Sequence, residues 1–407
     1  MSKRYLLCGG DFCTLNIGLM SHPCYIMNEF GCCNVKGKSG YGSRTTGPAV
    51  AKAIGKRLDG QLVIVTGGSF GIGREAARSF YELGATVVIT SRAQARADEA
   101  KAWIESNCES KDRLGALVPC ELDLGSFKST EAFAQLMLAR PEPLYCLVNN
   151  AALMATPFKL TEDGWETQYQ VNYLGHFYLT LMLLERLEAV GPSRVVHVSS
   201  ISQVHAPAHG CYAIPCCVMC LGDFDDKRWP AKSGGCCAYD PMEDYSFSKL
   251  AQLVFSNELD RRVKERGDKL ITTTVDPGLS KHTNISKSSC CFNCIFNYSP
   301  MPLLMHPMLK SVPQQAGSIL YAALSDDVKG GDLVMNSNVL PPSAMNRYAT
   351  TPRYGPPLWD QSVANLGALG AQLPSVAPAA VGMERTGARK SAVAPSDAPS
   401  AEVAQSG

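Results

Sequence analysis

The sequence predicts an α/β fold: a doubly wound parallel sheet of about seven strands, in one domain with low-order segments at both ends. Short apolar runs alternate with longer stretches of helical spacing from about residue 62 to 336. Strict strand–helix alternation calls for parallel strands covered by helices on both faces. The first run enters a glycine-dense turn, "IVTGGSFGIGRE", with Gly67, Gly68, Gly71 and Gly73 in seven residues. The flanks lack this periodicity.

In chain order, residues 1–58 hold Gly, Ser and Cys with few periodic apolar positions, and an extension of low order is expected. "QLVIVT" (61–66) reads as a buried strand. "REAARSFYELG" reads as a helix stopped by Gly84. Further strands are expected at "TVVIT" (86–90), "LGALVPC" (114–120), "LYCLVN" (144–149), "RVVHVS" (194–199), "LITTTV" (270–275) and "GDLVMN" (331–336). Long helices are expected over Glu162 to Leu187 and Glu243 to Arg266. The domain should span 59–345. Residues 346–407 form the expected tail, dominated by Ala, Pro, Ser and Gly beyond about 360. That composition cannot offset its ordering entropy, so truncation after Asp360 is expected to be harmless.

A net charge of +1 over 407 residues suggests no nucleic-acid partner. No apolar run approaches the ~20 residues of a membrane span. The opening apolar stretch is broken by Gly9, Gly10 and Asp11, which makes a poor signal peptide. A cytoplasmic protein is expected, with peripheral contact to an intracellular membrane as an option. The 17 cysteines are then reduced thiols. Two clusters share the spacing C-C-x-x-C: Cys216, Cys217 and Cys220, and Cys290, Cys291 and Cys294. A mobile apolar lid or an acylated membrane contact is the favoured reading. Zinc is the alternative, and no metal site is expected.

The turn after the first strand has the spacing T-G-x-x-x-G-I-G. Missing Cβ atoms let backbone approach a ligand, and the following helix N-terminus offers free N–H groups to an anion. A dinucleotide pyrophosphate suits this, whereas a nucleotidase phosphate loop needs a Gly-Lys-Ser/Thr that is absent. The second strand ends in Ser91 and Arg92, where a cation favours the 2′-phosphate of NADP(H) over NAD(H). An ordinary surface arginine is the competing account. Tyr245 and Lys249 stand four apart and share a helix face. A cation ~4 Å from a phenol at an effective dielectric of ~20 gives about 4 kcal/mol, or roughly three pK units, enough to make tyrosine an acid/base near neutrality. Ser200, at a strand end, can donate to a carbonyl or merely to the backbone. In "NNAA" (149–152) small residues let a nucleoside lie close. Asn172, in an apolar helix, either orders local backbone or holds a water. His176 reads as a core residue. Pro277 and Gly278 make a sharp strand exit.

Together these motifs resemble, in order and topology, the short-chain dehydrogenase/reductase family, whose fold is a Rossmann-type sheet. "LTEDGWETQYQVNYLGHFYLTLMLLERL", "DFDD" and "PQQAGSILYAALSDDVKGGDLVMN" look like its retinol-dehydrogenase and WW-domain-oxidoreductase branch. The resemblance covers about residues 58 to 340. It implies Tyr245 as acid/base, with Lys249 lowering its pKa and binding the nicotinamide ribose. It implies Ser200 orienting the carbonyl and Asn172 holding a relay water. The cofactor would meet Gly67, Ser69, Gly71, Ile72 and Gly73 at the pyrophosphate, Ser91 and Arg92 at the ribose, and Asp123 and Leu124 at the adenine. Asn149, Ala151, Pro277 and Gly278 would complete its bed. An apolar carbonyl or alcohol is the implied substrate, and pairing of long helices implies a homodimer. There are three departures: Ala152 stands where the family has glycine, so the cofactor must leave room for a methyl, while a long interval from Ser200 to Tyr245 and Thr283 one residue late bear on the substrate pocket. Two other readings stay open, a cofactor-binding redox sensor without turnover and a light-driven reductase of a chlorophyll precursor.

Overall fold

The computed structural model describes residues 36–110, 112–189, 191–205, 239, 241–279, 309–368 and 370. Both C-C-x-x-C clusters and the substrate-side turn after Gly278 lie outside these residues.

Eight strands form one sheet in the order β3-β2-β1-β4-β5-β6-β7-β8. They are β1 (Leu62–Val65), β2 (Thr86–Ser91), β3 (Ala116–Glu121), β4 (Leu144–Asn149), β5 (Arg194–Val198), β6 (Ile271–Asp276), β7 (Leu333–Met335) and β8 (Asn338–Val339). All pairs are parallel except β7 with β8. The expected count of about seven misses β8. A two-residue strand has no period to read, and only the left-handed pair Asn336 and Ser337, at φ 53° and 57°, turns the chain back. Strand β1 is wholly buried, as covering on both faces requires.

Eight helices matter for the site. Helix α1 is Gly47–Ile54, α2 Gly71–Glu82, α3 Gln94–Ser106 and α4 Phe127–Leu138. Helix α5 starts at Thr167–Tyr169, passes through a π turn at Gln170–Leu174, and continues as Gly175–Met182. Helix α6 is Pro241–Arg266, α7 Val312–Leu324 and α8 Gly355–Ala368. Helices α1, α2 and α7 pack together, as do α4 with α5 and α6 with α8.

Both expected boundaries move outward. The extension expected to lack order through 58 contains α1, which is capped by the Thr46 hydroxyl and buries Val50 and Ala51. Farther upstream, Ser39 donates to Asn338 at 2.7 Å. The tail expected to begin at 346 contains α8. Its Trp359 ring lies 5.2 Å from Phe177 and 5.9 Å from Phe255, with the Arg262 guanidinium 4.3 Å away. Ser362 and the Tyr173 hydroxyl are 2.7 Å apart in the core. Truncation after Asp360 would cut α8 in half, so a loss of stability is expected in place of a harmless change. Small residues in α8 dilute its local apolar signal, and α5 and α6 supply the surface that orders it. Helix α8 packs on both of these helices.

Candidate active site

The C-terminal ends of β1, β2, β4, β5 and β6 lie on one edge of the parallel sheet, the edge where open α/β folds bind ligands. The chemically active side chains gather there.

At the end of β1 the chain turns through Gly67 and Gly71, at φ 61° and 56°. A Cβ on Gly73 would sit 2.4 Å from Asn150 Nδ2 and 2.5 Å from the Gly67 carbonyl oxygen, so only glycine fits. Helix α2 begins at Gly71 with no side-chain cap and no acid in its first turn. Its N–H groups and dipole therefore suit a phosphate. These residues fit a dinucleotide.

Thr66 ties the turn to β4. Its Oγ1 accepts from Asn150 N at 2.8 Å and Ala151 N at 3.0 Å, and lies 2.9 Å from His176 Nε2. His176 Nδ1 is 3.0 Å from the Asn172 carbonyl oxygen, which can only accept. Nδ1 therefore carries the proton and Nε2 accepts from Thr66. Burial pushes the His176 pKa down to about 3, so the ring is a neutral link between the glycine turn and the π turn. This agrees with its reading as a core residue.

Asn172 sits in that π turn. Its amide makes a double bridge to Leu153, at 2.8 and 2.9 Å, and donates to Ser248 at 2.9 Å. The side chain thereby orders the backbone around Leu153. Asn149 is committed to the core, with Nδ2 3.0 Å from Thr180 Oγ1. Its neighbour Asn150 meets the glycine turn instead, donating to the Thr66 carbonyl at 2.8 Å.

Ser91 is buried at the end of β2, with Arg92 exposed beside it. Asp123 lies beyond β3 and accepts from Gly125 N at 2.9 Å, while Leu124 is buried beside it. Ser69 and Ile72 are half-buried in the turn. The Arg74 guanidinium, not singled out from sequence, stacks 3.7 Å from the Trp103 ring. Its signal was the basic residue directly after G-I-G.

Tyr245 and Lys249 project from α6 toward the ends of β5 and β6. Ser200 is near enough to the Tyr245 hydroxyl to lower its pKa. Lys249 Nζ donates to the Val198 carbonyl at 2.8 Å and to Gln252 Oε1 at 3.0 Å, and lies 5.9 Å from the Tyr245 ring centroid. The expected sign of the phenol's shift is reversed in the chain alone. Burial raises the Tyr245 pKa, Ser200 lowers it, and Asp276 raises it again. Lys249 is not among the groups that lower it in the chain alone, and burial lowers the lysine's own pKa to about 7. Gly278 N donates to Asp276 Oδ1 at 2.9 Å, and Lys310 Nζ donates to the Pro277 carbonyl at 3.2 Å. Sequence reasoning missed Asp276 and Lys310. An acid directly before Pro-Gly was a usable signal, whereas Lys310 had none.

A dinucleotide turn and a Ser–Tyr–Lys set at the carboxyl edge of a doubly wound sheet define the class, a nicotinamide-dependent oxidoreductase of the α/β type. Comparison with known proteins gives the family. The profile described as short chain dehydrogenase matches residues 61–213. Short-chain dehydrogenase TIC 32 B, chloroplastic, of Brassica napus is 34% identical over 80% of this chain and 94% of its own length. The WW domain-containing oxidoreductase of Homo sapiens is 36% identical over 70% of this chain and 63% of its own. Retinol dehydrogenase 12 of Mus musculus is 34% identical over 67% of this chain and 76% of its own. The chain belongs to the short-chain dehydrogenase family, whose members use a nicotinamide cofactor. Among the described residues, no helix is long and apolar enough to cross a membrane.

Proposed function

We propose that the protein is an NADP(H)-dependent oxidoreductase interconverting a carbonyl and an alcohol on an apolar, retinoid-, steroid- or lipid-like substrate. The observation that carries this reading is the buried Tyr245 side chain beside Ser200, with Lys249 one helical turn along. The glycine turn, Ser91 and Arg92 would hold the cofactor, which supplies or accepts a hydride when bound. Ser200 donates a hydrogen bond to the substrate oxygen and fixes its position. Tyr245, kept protonated by burial, gives its proton to that oxygen as negative charge develops on it. Lys249 places its ammonium beside this site and stabilises the tyrosinate left behind. The apolar substrate class rests on the similarity to retinol dehydrogenase 12.

Purified protein assayed with NADPH and NADH against aldehydes and ketones of graded chain length tests the reading. Turnover that rises with chain length and requires Tyr245 is expected. Tight NADPH binding without turnover of any carbonyl or alcohol would favour the redox-sensor account.

Arg92→Asp is expected to weaken NADPH binding at least tenfold and leave NADH binding unchanged or improved, because only the 2′-phosphate can use the guanidinium. Fluorescence titration with both cofactors measures this. Equal losses would make Arg92 a structural residue.

A further inference from the structure

We propose that Glu166 is a positioning residue: its carboxyl group keeps its proton, donates it to the Tyr239 hydroxyl, and so fastens the start of α5 to the chain that enters α6 and carries Tyr245. The inference rests on the acid/base reading above and adds a component to it.

Local structure places Glu166 inside. After β4 the chain doubles back, and Leu160 faces Glu166 in an antiparallel bridge. Thr161 N donates to the Trp165 carbonyl at 2.8 Å, and Thr167 N donates to the Lys159 carbonyl at 3.0 Å. Side chains alternate along such a segment, so Glu166 points inward between the half-buried Trp165 and Thr167. Its exposure is 0%. One carboxyl oxygen, Oε2, accepts from Tyr169 N at 2.7 Å, in the first turn of α5. The other, Oε1, lies 3.1 Å from the Tyr239 hydroxyl.

A count of protons assigns the state of the acid. The Tyr239 oxygen meets Gln168 Nε2 at 2.8 Å, the Thr156 carbonyl at 2.9 Å and Glu166 Oε1 at 3.1 Å. Gln168 Nε2 also lies 3.0 Å from the Pro241 carbonyl. That carbonyl can only accept, so the amide nitrogen donates both of its protons, one to Pro241 and one to Tyr239. The Thr156 carbonyl can only accept too, and it takes the single proton of the phenol. The contact with Glu166 is then left without a proton unless the acid supplies one. With Oε1 protonated, Tyr239 donates once and accepts twice, and every contact in the cluster has its hydrogen. With a carboxylate, two buried oxygens would face each other with nothing between them, which carries the full cost of an unmade bond.

The surroundings agree with this count. Burial is the largest influence on Glu166 and raises its pKa. The N–H groups of Gln168 and Tyr169 lower it, the acid Asp244 of α6 raises it, and the net direction is upward. No cation stands among these groups. Tyr239 is itself pushed far above its ordinary value, first by burial and then by Glu166 and Asp244, so the phenol keeps its proton.

The bond acts on Tyr245 through the start of α6. Tyr239 stands two residues before that helix, and Gln168 holds the Pro241 carbonyl at its first residue. Farther along, Tyr169 stacks on Phe247 at 5.9 Å, and Asn172 donates to Ser248, whose hydroxyl donates to the Tyr245 carbonyl at 2.7 Å. The Glu166–Tyr239 bond is the first of these ties along the chain entering α6.

The test uses the full chain with ¹³C-labelled glutamate. At a pH where exposed carboxyls are ionised, infrared spectra of the unaltered chain are expected to show a carboxylic-acid band that Glu166→Gln removes. The Gln amide donates to Tyr239 and accepts from Tyr169 N as the neutral acid does. That variant is therefore expected to keep the turnover of the unaltered chain and the hydrogen-exchange protection of amides 242–249. Glu166→Ala is expected to speed exchange there about tenfold and to lower kcat about tenfold well below the melting temperature, with NADPH affinity unchanged. Tyr239→Phe, which leaves the Glu166 bond to α5 in place, gives the same readouts if the Ala variant fails to fold. Absence of the acid band overturns the proposal, as does a Gln variant damaged as much as the Ala or Phe variant. Unmoved exchange and kcat in a folded Ala or Phe variant also overturn it. An acid band and faster exchange as expected, in a chain that turns over no carbonyl, leave the Glu166–Tyr239 bond standing and remove the oxidoreductase reading. Tyr245-dependent turnover without the acid band removes the bond alone.

Discussion

Tyr245→Phe lowers turnover by about 10²–10⁴-fold while NADPH affinity stays within a factor of a few. The substitution removes one oxygen and leaves the ring, which packs in a buried site on α6. The hydroxyl is the proposed proton donor, so without it the substrate oxygen must take its proton from water. Cofactor affinity is spared because the glycine turn and Arg92 are on other elements. Stopped-flow turnover and fluorescence titration on the same preparation separate the two quantities. Near-normal turnover in this variant would sink the proposed mechanism. Ser200→Ala should produce a smaller loss of the same kind, because it orients the carbonyl but transfers no proton. Lys249→Ala should damage turnover and cofactor affinity together.

Ending the chain after Tyr354 lowers the melting temperature by about 15 °C or abolishes the fold. The cut removes α8, whose Leu358, Trp359 and Leu366 are buried at 2%, 4% and 0% exposure. Losing such side chains costs about 2–5 kcal/mol for each leucine and 3–5 for tryptophan. Together this is about 7–15 kcal/mol, comparable with the whole stability of a typical domain. It also uncovers Phe177 and Phe255, packed 4.8 Å apart beneath Trp359. At about 2 °C per kcal/mol for a domain of this size, the smaller estimate already gives the stated shift. Scanning calorimetry of the cut chain, beside one ending after Gly370, decides the matter. A melting temperature within a few degrees of the longer chain would mean that α8 contributes nothing.

Much of the sheet was legible because its strands are short apolar runs bounded by glycine and polar residues, a local property. The six runs from "LVIVT" to "LITTTV" match β1 to β6 within about two residues. The glycine turn was legible for a similar reason, since its spacing records where backbone must bend sharply or touch backbone. Tyr245 and Lys249 were singled out by their four-residue helical spacing, and Ser200 by its place at a strand end.

What sequence alone determined is therefore the strand–helix alternation from β1 to β7 and the chemical types delivered to one sheet edge. Three matters waited for the tertiary structure. Helices α1 and α8 are ordered by surfaces that other helices present, and a chain read locally does not contain those surfaces. Asn149 turned inward while Asn150 took the glycine turn, a choice between adjacent amides that strand register makes. The charge state around Tyr245 depends on burial and on Asp276, which lies 31 residues away in sequence. Electrostatic coupling falls with distance in space and is blind to separation along the chain. A four-residue spacing could bring the lysine near the tyrosine, but only packing could set how much charge either one keeps.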